Sequence, residues 1–315
     1  MQLKDRKVLF DDGSYYNTGD AGYIEHYDFS RANVDKESRV KAVSMVASVC
    51  YGNKGLKPNF KLYDKLERES IGLPSSSFEF VPAFIRVDVF RKLFEYVDKA
   101  YCSNKGKFKD LILNTVRYGF LLENKNMDLI GVLTNLRALL YDIEFIKSVL
   151  DIDDDIVDIE SDNYFNTDEE EIEIIKSYFN VFKVRATIRD FRQLLRTRRG
   201  SFQELSRRYT SGDKVKFEFR YNINMIKELP DLIKEDEKKI EDYFYLLDKG
   251  IKAEDARDML PVSLYSELWC AFYPDGFDNF INLRTKSSAQ KGIREIAQNM
   301  NILVKNTWQI KFNII

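Results

Sequence analysis

Residues 193–209 read Gln-Leu-Leu-Arg-Thr-Arg-Arg-Gly-Ser-Phe-Gln-Glu-Leu-Ser-Arg-Arg-Tyr. Seven arginines lie between Arg189 and Arg208, against only two acidic residues, so this segment is strongly cationic. The simplest interpretation is an exposed basic helix face. The second interpretation is an anion site, because planar guanidinium groups together with hydroxyl donors suit a phosphate. The carboxylate of Glu204 among them suits a ribose hydroxyl or the edge of a flavin ring.

The residues just before this segment predict a strand followed by a helix. Residues 178–186 alternate between two faces, which is the period of a β-strand. Thr187 and Asp190 then form the pattern of a helix start, in which the threonine hydroxyl accepts a backbone N–H. The buried stripe of the helix is predicted to consist of Phe191, Leu194 and Leu195.

The polar residues of this helix are the first candidates for ligand binding. Gln193 and Arg196 are three residues apart, so the sequence predicts that they share a helix face and reach one ligand together. Gly200 ends the helical pattern. Residues 201–208 are predicted to form a loop that wraps the same ligand.

The rest of the chain predicts a mixed α and β protein. Helices are predicted over 35–51, 230–249, 253–260 and 287–300, and strands within 72–86 and 214–221. Residues 87–150 carry helical apolar spacing, and residues 151–173 concentrate acids in what is predicted to be a solvated loop. We therefore predict an insertion over 87–176 within a domain formed by 1–86 and 177–315.

Composition excludes several classes of function. The chain has 315 residues with 44% hydrophobic content, enough for a full-sized core, and 49 basic residues balance 51 acidic ones. No global field draws it to nucleic acid or an anionic membrane. The single histidine, His26, argues against Ser-His-Asp chemistry and against a multi-histidine metal site.

Cysteine usage and hydropathy set the expected location. Three scattered cysteines give neither a disulfide framework nor a metal pair. We expect no export signal and no membrane span, because residues 1–20 lack an apolar stretch and the most apolar region, 129–141, contains Asn135 and Arg137. A cytoplasmic location is expected, and a host cytoplasm if the source of this Lys-, Asn- and Ile-rich chain is viral.

The cationic segment resembles a known family. Residues 196–209 match the signature R-H-R-x-x-S-x-N/Q-E-x-S-x-R-Y of flavin-dependent thymidylate synthases at eight of its nine specified positions. Two further blocks follow in the family's order, Ala-Arg-x-x-Leu-Pro at 256–261 and Asn-Phe-x-x-Leu-Arg at 279–284. The resemblance extends to residues 47–51 and 76–79.

The resemblance implies a set of ligand contacts. The residues implied to bind deoxyuridine monophosphate (dUMP) are Gln193, Arg196, Glu204, Leu205, Ser206, Arg208, Arg257 and Arg284. The residues implied to contact FAD are Ser76, Glu79, Arg196, Thr197, Arg198, Gln203, Glu204 and Asn279. Arg284 is implied to be catalytic, because it would face the uracil ring and stabilise negative charge on it.

The departures from the family pattern cluster on the flavin side. The family's histidines are replaced by Thr197, Pro74 and Ser288, and its Asn-x-Arg before Asn279 is replaced by Tyr-Pro-Asp at 273–275. Each change removes a donor or a cation that could face a pyrophosphate. Flavin is therefore expected to bind more weakly or in an altered pose.

The resemblance also implies a fold and a reaction. The implied subunit is α+β, a mostly antiparallel sheet packed with helices in the flavin-dependent thymidylate synthase fold, with the insertion added. The implied assembly is a homotetramer whose active sites are shared between subunits. The implied reaction is an NADPH-dependent methylation of dUMP, with methylenetetrahydrofolate as carbon donor and reduced FAD as hydride donor, and no protein nucleophile is needed.

Two alternative functions stay open. One is a related flavin enzyme that modifies pyrimidine C5 or a nucleotide-binding homologue with weakened catalysis. The other is a nucleic-acid-binding module built on the arginine-rich segment, which the balanced charge of the whole chain disfavours.

Overall fold

The computed structural model describes residues 4–10, 13–52, 55, 57–68, 74–93, 95, 117–123, 129–150, 167–208, 210 and 216–308. These residues divide into two compact units. Unit 1 is drawn from Met1–Tyr27, Ala47–Gly55 and Asn180–Gln309, and unit 2 from Asp28–Val46 and Leu56–Phe179. Unit 2 includes residues 28–46 and 56–86, and the predicted division into one domain with an insertion over 87–176 stays a prediction.

The described strands and helices are numbered in chain order. The strands are β1 (Lys4–Leu9), β2 (Tyr15–Asn17), β3 (Tyr23–Tyr27), β4 (Pro82–Arg86), β5 (Phe120–Glu123), β6 (Leu129–Asn135), β7 (Asn180–Thr187), β8 (Gly200–Glu204), β9 (Arg220–Asn222) and β10 (Tyr265–Phe272). The helices are α1 (Lys36–Ser48), α2 (Phe60–Glu67), α3 (Leu136–Leu150), α4 (Glu169–Tyr178), α5 (Ile188–Leu194), α6 (Leu229–Asp248), α7 (Ala253–Ala256), α8 (Pro274–Arg284) and α9 (Lys291–Trp308). The mixture confirms the predicted α+β class.

Unit 1 is built on a five-stranded antiparallel sheet in the order β1-β3-β7-β10-β8. One face of the sheet packs against α5, α8 and α9 and forms a continuous apolar core. Its members include Phe182, Phe191, Phe272, Phe277 and Phe280, each at most 2% exposed. Burial of these side chains is the main source of stability for this unit.

Unit 2 contains a three-stranded antiparallel sheet in the order β4-β6-β5. The buried amide of Asn33 ties the chain to β4: it donates to Pro82 O at 2.9 Å and accepts from Phe84 N at 2.9 Å. Arg86 makes a bidentate pair with Glu171 on α4, at 2.7 and 2.9 Å. Hydrogen bonds to the sheet edge and a charge pair therefore position the elements of this unit.

Several predicted elements are confirmed. The alternating residues 178–186 correspond to β7, and Thr187 is the N-cap of α5, where its hydroxyl accepts from Asp190 N at 3.3 Å. The charged helix predicted over 230–249 is α6, and Gly250 follows it with a φ of +81°. That left-handed conformation explains the choice of glycine at the helix end.

The helical prediction for residues 129–135 was wrong, because this stretch is strand β6 and only the following residues form helix α3. It is the central strand of its sheet, paired with β4 along one edge and with β5 along the other, and its residues Gly131–Asn135 are buried. A short apolar run of this kind has no periodicity that separates a buried strand from a helix. Tertiary pairing decides the outcome.

The acidic loop predicted over 151–173 was wrong at its C-terminal end. Glu169–Tyr178 is helix α4, opened by a capping box in which Asp168 accepts from Glu171 N at 2.9 Å. Acidic residues in the first turn are favoured there by the helix dipole. Residues 151–166 lie outside the described residues.

Two predictions around the cationic segment also need correction. Helix α5 ends at Leu194, so Leu195 is 44% exposed and Arg196 lies beyond the helix. The loop predicted for 201–208 begins as strand β8, which pairs with β10. The strand predicted over 214–221 is confined to β9 among the described residues.

No helix in the described ranges combines the length and the hydropathy that crossing a membrane requires.

A buried ion pair joins β9 to α9 within unit 1. Arg220 is 1% exposed, and its Nη2 lies 2.5 Å from Glu295 Oε2. The guanidinium also lies 3.7 Å from the centre of the Tyr15 ring. A buried guanidinium depends strongly on this carboxylate, because removal of one partner leaves an uncompensated charge.

We expect Glu295→Ala to lower the free energy of unfolding by about 3 to 5 kcal/mol, measured by urea denaturation. The matched control is Asp20→Ala, which removes the exposed pair between Asp20 and Lys216, whose side chains are 83% and 76% exposed. That change should cost less than about 1 kcal/mol. Equal losses in the two variants would contradict the assignment of the Arg220–Glu295 pair as a structural anchor.

Candidate nucleotide site

The candidate site is organised by the pairing of β8 with β10. Gln203 lies opposite Trp269 and Glu204 opposite Leu268 in the antiparallel register. The ladder continues one residue beyond the strand, since Leu205 N donates to Glu267 O at 2.8 Å. Half of the predicted wrapping loop is thus fixed as the edge of a rigid sheet.

Glu204 is held in a half-buried position. Its carboxylate accepts a hydrogen bond from the Ser266 hydroxyl on the neighbouring strand. Burial raises the pKa of Glu204, while that hydrogen bond and the positive charges of Arg207 and Arg192 act in the opposite direction. The Glu204 carboxylate is therefore partly shielded from water, and it can accept a hydrogen bond from a ligand hydroxyl.

The turn after Glu204 orders the next predicted ligands. The Ser206 hydroxyl oxygen accepts from Arg208 N at 3.3 Å, and Ser206 O accepts from Thr210 Oγ1 at 2.8 Å. This side-chain capping of the turn sets the direction in which Arg208 leaves the chain. The side chain of Leu205 is only 6% exposed, so a nucleotide would meet its backbone.

Arg208 reaches the helix that leads to Arg257. Its Nη2 lies 3.0 Å from Glu254 Oε2 on α7, and Arg257 follows three residues after Glu254 at the start of a 3-10 turn. Arg257 is exposed. The structure therefore brings Arg208 to the segment that carries Arg257, another predicted nucleotide ligand.

Arg284 meets the C-terminal end of α5. Its Nη2 lies 3.4 Å from the carbonyl oxygen of Gln193, and the Gln193 amide donates to the Gln290 side chain. Two predicted nucleotide ligands, Gln193 and Arg284, are thus neighbours. Gln290 was not among the predicted site residues, and its contact with Gln193 places it beside them.

The predicted flavin contacts of unit 1 fall into two groups. Arg196, Arg198 and Asn279 are exposed, whereas Thr197 is 9% exposed. Gln203 lies on the sheet and donates to Cys50 Sγ at 3.3 Å. The Cys50 contact was missed, because nothing in the sequence links residues so far apart.

The remaining predicted flavin contacts lie in unit 2. Ser76 and Glu79 belong to a 3-10 turn, Ser76–Phe80. Glu79 forms an ion pair with Arg137, which also donates through Nε to Pro74 O at 2.9 Å. A joint role for Ser76 and Glu79 with residues of unit 1 stays a prediction.

One departure from the family pattern has a direct structural consequence. Asp275, in the first turn of α8, lies with its Oδ2 2.8 Å from Arg199 Nε. The next residue, Gly276, faces the Arg199 backbone so closely that a Cβ would lie 2.0 Å from its carbonyl oxygen. Close backbone approach thus places the start of α8 against Arg199, and the ion pair neutralises one of the seven arginines.

Guanidinium groups, amide side chains and a buried carboxylate are suited to an anionic nucleotide-sized ligand. Within the described ranges, His, Cys, Asp and Glu form no group of three or more that could hold a metal ion.

Comparison with known proteins supports the predicted resemblance. Residues 173–308 match the family model described as thymidylate synthase complementing protein. The flavin-dependent thymidylate synthase of Thermosipho africanus (strain TCF52B) is 32% identical over 144 residues, which cover 39% of this chain and 62% of the relative. The flavin-dependent thymidylate synthase of Aquifex aeolicus (strain VF5) is 32% identical over 154 residues, which cover 44% of this chain and 49% of the relative. The flavin-dependent thymidylate synthase of Kosmotoga olearia (strain ATCC BAA-1733 / DSM 21960 / TBF 19.5.1) is 33% identical over 133 residues, which cover 37% of this chain and 58% of the relative.

The predicted resemblance to the flavin-dependent thymidylate synthase family is confirmed for residues 173–308. The chain spans between 49% and 62% of the length of these relatives. The matched range contains every predicted nucleotide ligand, from Gln193 to Arg284, and excludes Ser76 and Glu79.

Proposed function

We propose that this chain is a flavin-dependent thymidylate synthase that converts dUMP to thymidine monophosphate. Methylenetetrahydrofolate would be the carbon donor, reduced FAD the hydride donor and NADPH the source of electrons. The observation that carries the proposal is the 3.4 Å contact between Arg284 Nη2 and Gln193 O, 91 residues apart in sequence. It joins two residues that the family resemblance assigns to the same nucleotide.

The roles of the nucleotide ligands follow from their chemistry. Ser206, Arg208 and Arg257 would hold the phosphate, because a hydroxyl and two guanidinium forks match its oxygens. Glu204 would accept a hydrogen bond from the sugar hydroxyl. Glu254 is the present partner of Arg208, so phosphate binding requires that Arg208 exchange a carboxylate for a phosphate.

Arg284 would act on the pyrimidine ring. A guanidinium directed at the ring edge stabilises negative charge that develops on the base during attack on the one-carbon unit. The carbonyl of Gln193 helps to hold that guanidinium in place. Preorganisation of this kind is effective because the donor does not have to move as charge develops.

The exposed residues of unit 1 fit an anionic cofactor such as FAD. Arg196 and Arg198 make no ion pair with any described residue, and Asn279 on α8 is exposed, so these donors are available to a diphosphate. Gln203 would add a contact at the sheet edge. When bound, the flavin supplies the hydride that the reaction requires, and the protein's part is to position and polarise.

The first test separates catalysis from binding. We expect Arg284→Ala to lower kcat about 100-fold to 1000-fold with a smaller loss of dUMP affinity. Arg208→Ala should instead weaken dUMP binding about tenfold to 100-fold, because a hydrogen bond to a charged group is lost. Turnover and isothermal titration calorimetry measure the two effects. The control is Lys238→Ala, an exposed residue on α6.

Unchanged turnover in Arg284→Ala would refute the catalytic role. Unchanged dUMP affinity in Arg208→Ala would contradict the assignment of Arg208 as a phosphate ligand. A loss of the same size in Lys238→Ala would show that the effects come from general destabilisation and would also count against both roles.

A second candidate function is a related flavin enzyme that modifies pyrimidine C5, or a homologue with weakened catalysis. The ion pair between Asp275 and Arg199 favours it, because a carboxylate stands where the family has a cation. Thr197, which replaces a family histidine, is also withdrawn from solvent. The ion pair and the buried threonine would both weaken the binding of a diphosphate without affecting the nucleotide ligands.

We expect Asp275→Asn to tighten FAD binding about twofold to tenfold, because it removes an anion and releases Arg199. The change in flavin fluorescence on titration measures the affinity. Asp231→Asn is the matched control, since Asp231 also lies in the first turn of a helix, α6. Weaker FAD binding in Asp275→Asn would show that Asp275 itself supports the cofactor.

The nucleic-acid-binding alternative is disfavoured by the contacts of the arginines. Arg199 pairs with Asp275, Arg208 pairs with Glu254, and Arg207 is buried. The segment therefore offers fewer exposed cations than its composition indicates. The homotetramer with shared active sites and the cytoplasmic location stay predictions.

A further inference from the structure

Gln290 precedes helix α9 and contacts one of the predicted nucleotide ligands. Its side-chain oxygen accepts a hydrogen bond from Nε2 of Gln193 on α5, 97 residues away in sequence. The backbone oxygen of Gln193 in turn accepts from Arg284 Nη2 at 3.4 Å. Gln193 is thus held through its side chain by Gln290 and through its backbone by Arg284.

Hydrogen bonds in the connection between α8 and α9 fix the backbone of Gln290. Its carbonyl oxygen accepts from Arg294 N at 3.0 Å, in the i to i+4 pattern of a helix. Ala289 N donates to Lys286 O at 3.0 Å, and Arg294 Nη1 donates to Ser287 O at 2.7 Å. The side chain of Gln290 therefore leaves the chain from a hydrogen-bonded turn.

The apolar core sets the distance between α5 and α9. Leu194 on α5 and Ile293 on α9 belong to the same core and are both 0% exposed. Leu194 directly follows Gln193, and Ile293 lies three residues after Gln290. Close packing of the two apolar residues therefore limits how far the two glutamines can move apart.

A second contact fixes α9 against α5. Asp190 on α5 approaches Gly292 on α9 so closely that a Cβ on this glycine would lie 2.3 Å from the carboxylate oxygen Oδ1. The carboxylate is itself held, because Asp190 is 0% exposed and its Oδ2 accepts from the Thr187 hydroxyl at 2.6 Å. The two segments that carry the glutamines are thus positioned before any ligand binds.

We infer that Gln290 is a positioning residue of the nucleotide site, which restrains the amide of Gln193 for contact with the bound pyrimidine nucleotide. The inference rests on the proposed function, because it takes Gln193 as a ligand of dUMP. The Gln193 amide gives one N–H to Gln290, so its oxygen and its second N–H remain for the nucleotide. Restraint of these groups before binding reduces the side-chain entropy that binding would otherwise lose. Gln290 itself would not touch the nucleotide.

The test is a double-mutant cycle on dUMP affinity, measured by calorimetry on the full chain. We expect Gln290→Met, which keeps the side-chain length and removes the acceptor, to weaken dUMP binding about threefold to tenfold. In a Gln193→Met background the same change should alter the affinity by less than about twofold, because the hydrogen bond is already absent. A residue that only supports the fold would cost the same in both backgrounds.

Gln290→Glu is the conservative variant. Glutamate has the same length and can only accept, so it preserves the direction of the observed hydrogen bond from Gln193. The dUMP affinity should return to within about twofold of the wild type at an ionic strength of about 0.15 M, where salt screens the added charge.

The matched control is Gln298→Met, which changes an exposed glutamine on the same helix and should leave dUMP affinity unchanged. If Gln290→Met does not fold, Gln290→Ala carries the same test, since it also removes the acceptor.

Equal losses of dUMP affinity in the two backgrounds, or no loss in the wild-type background, would overturn the inference. A loss in Gln290→Glu or in Gln298→Met as large as that in Gln290→Met would overturn it too. Absence of dUMP binding in the wild-type chain is a separate failure, because it removes the proposed function and the inference with it. A loss that vanishes in the Gln193→Met background and is restored by Gln290→Glu would support the inference.

Discussion

The antiparallel pairing of β8 with β10 is the constraint on which the candidate site depends. Five residue pairs, from Gly200 opposite Phe272 to Glu204 opposite Leu268, fix the register. A slip by one residue would exchange the two faces of β8, so that Glu204 would leave Ser266 and Gln203 would turn into the apolar core. The register places a carboxylate and an amide on opposite faces at the same end of the strand. The turn at Ser206 continues from that end.

The arginine-rich segment has a different physical character from the one its composition indicates. The local structure places its arginines in different environments, some paired with carboxylates, one buried and others exposed. Arg199 and Arg208 have carboxylate partners, and Arg207 is withdrawn from water. Arg196 and Arg198 remain exposed beyond the end of α5. Such a division favours recognition of one small anionic ligand over binding along an extended polyanion.

Much of the local structure could be predicted from the sequence. The strand β7, the N-cap at Thr187 and the helix α6 follow from alternation, capping chemistry and apolar spacing. The predictions were wrong where tertiary contacts determine the secondary structure. The run 129–135 is a strand because two neighbouring strands pair with it, and 200–204 is a strand because β10 offers an open edge.

In the site, too, sequence patterns predicted some residues, whereas tertiary contacts determined the others. The family resemblance predicted Gln193 and Arg284 as nucleotide ligands, and the structure places them in contact. The partners that modulate the site were not predictable, because they depend on strand register and on side-chain burial. Ser266 beside Glu204 and the buried position of Arg207 are of this kind. The pair between Asp275 and Arg199 also had no signal in the sequence beyond a departure from the family pattern.

The central claim is that unit 1 recognises a pyrimidine mononucleotide through its phosphate and its base. Calorimetric titration of the full chain with dUMP, deoxyuridine and inorganic phosphate tests this claim most directly. The account predicts that dUMP binds and that deoxyuridine, which lacks the phosphate, binds at least about tenfold more weakly. Inorganic phosphate should compete with dUMP but bind more weakly. Equal binding of dUMP and deoxyuridine, or no binding of either, would contradict it.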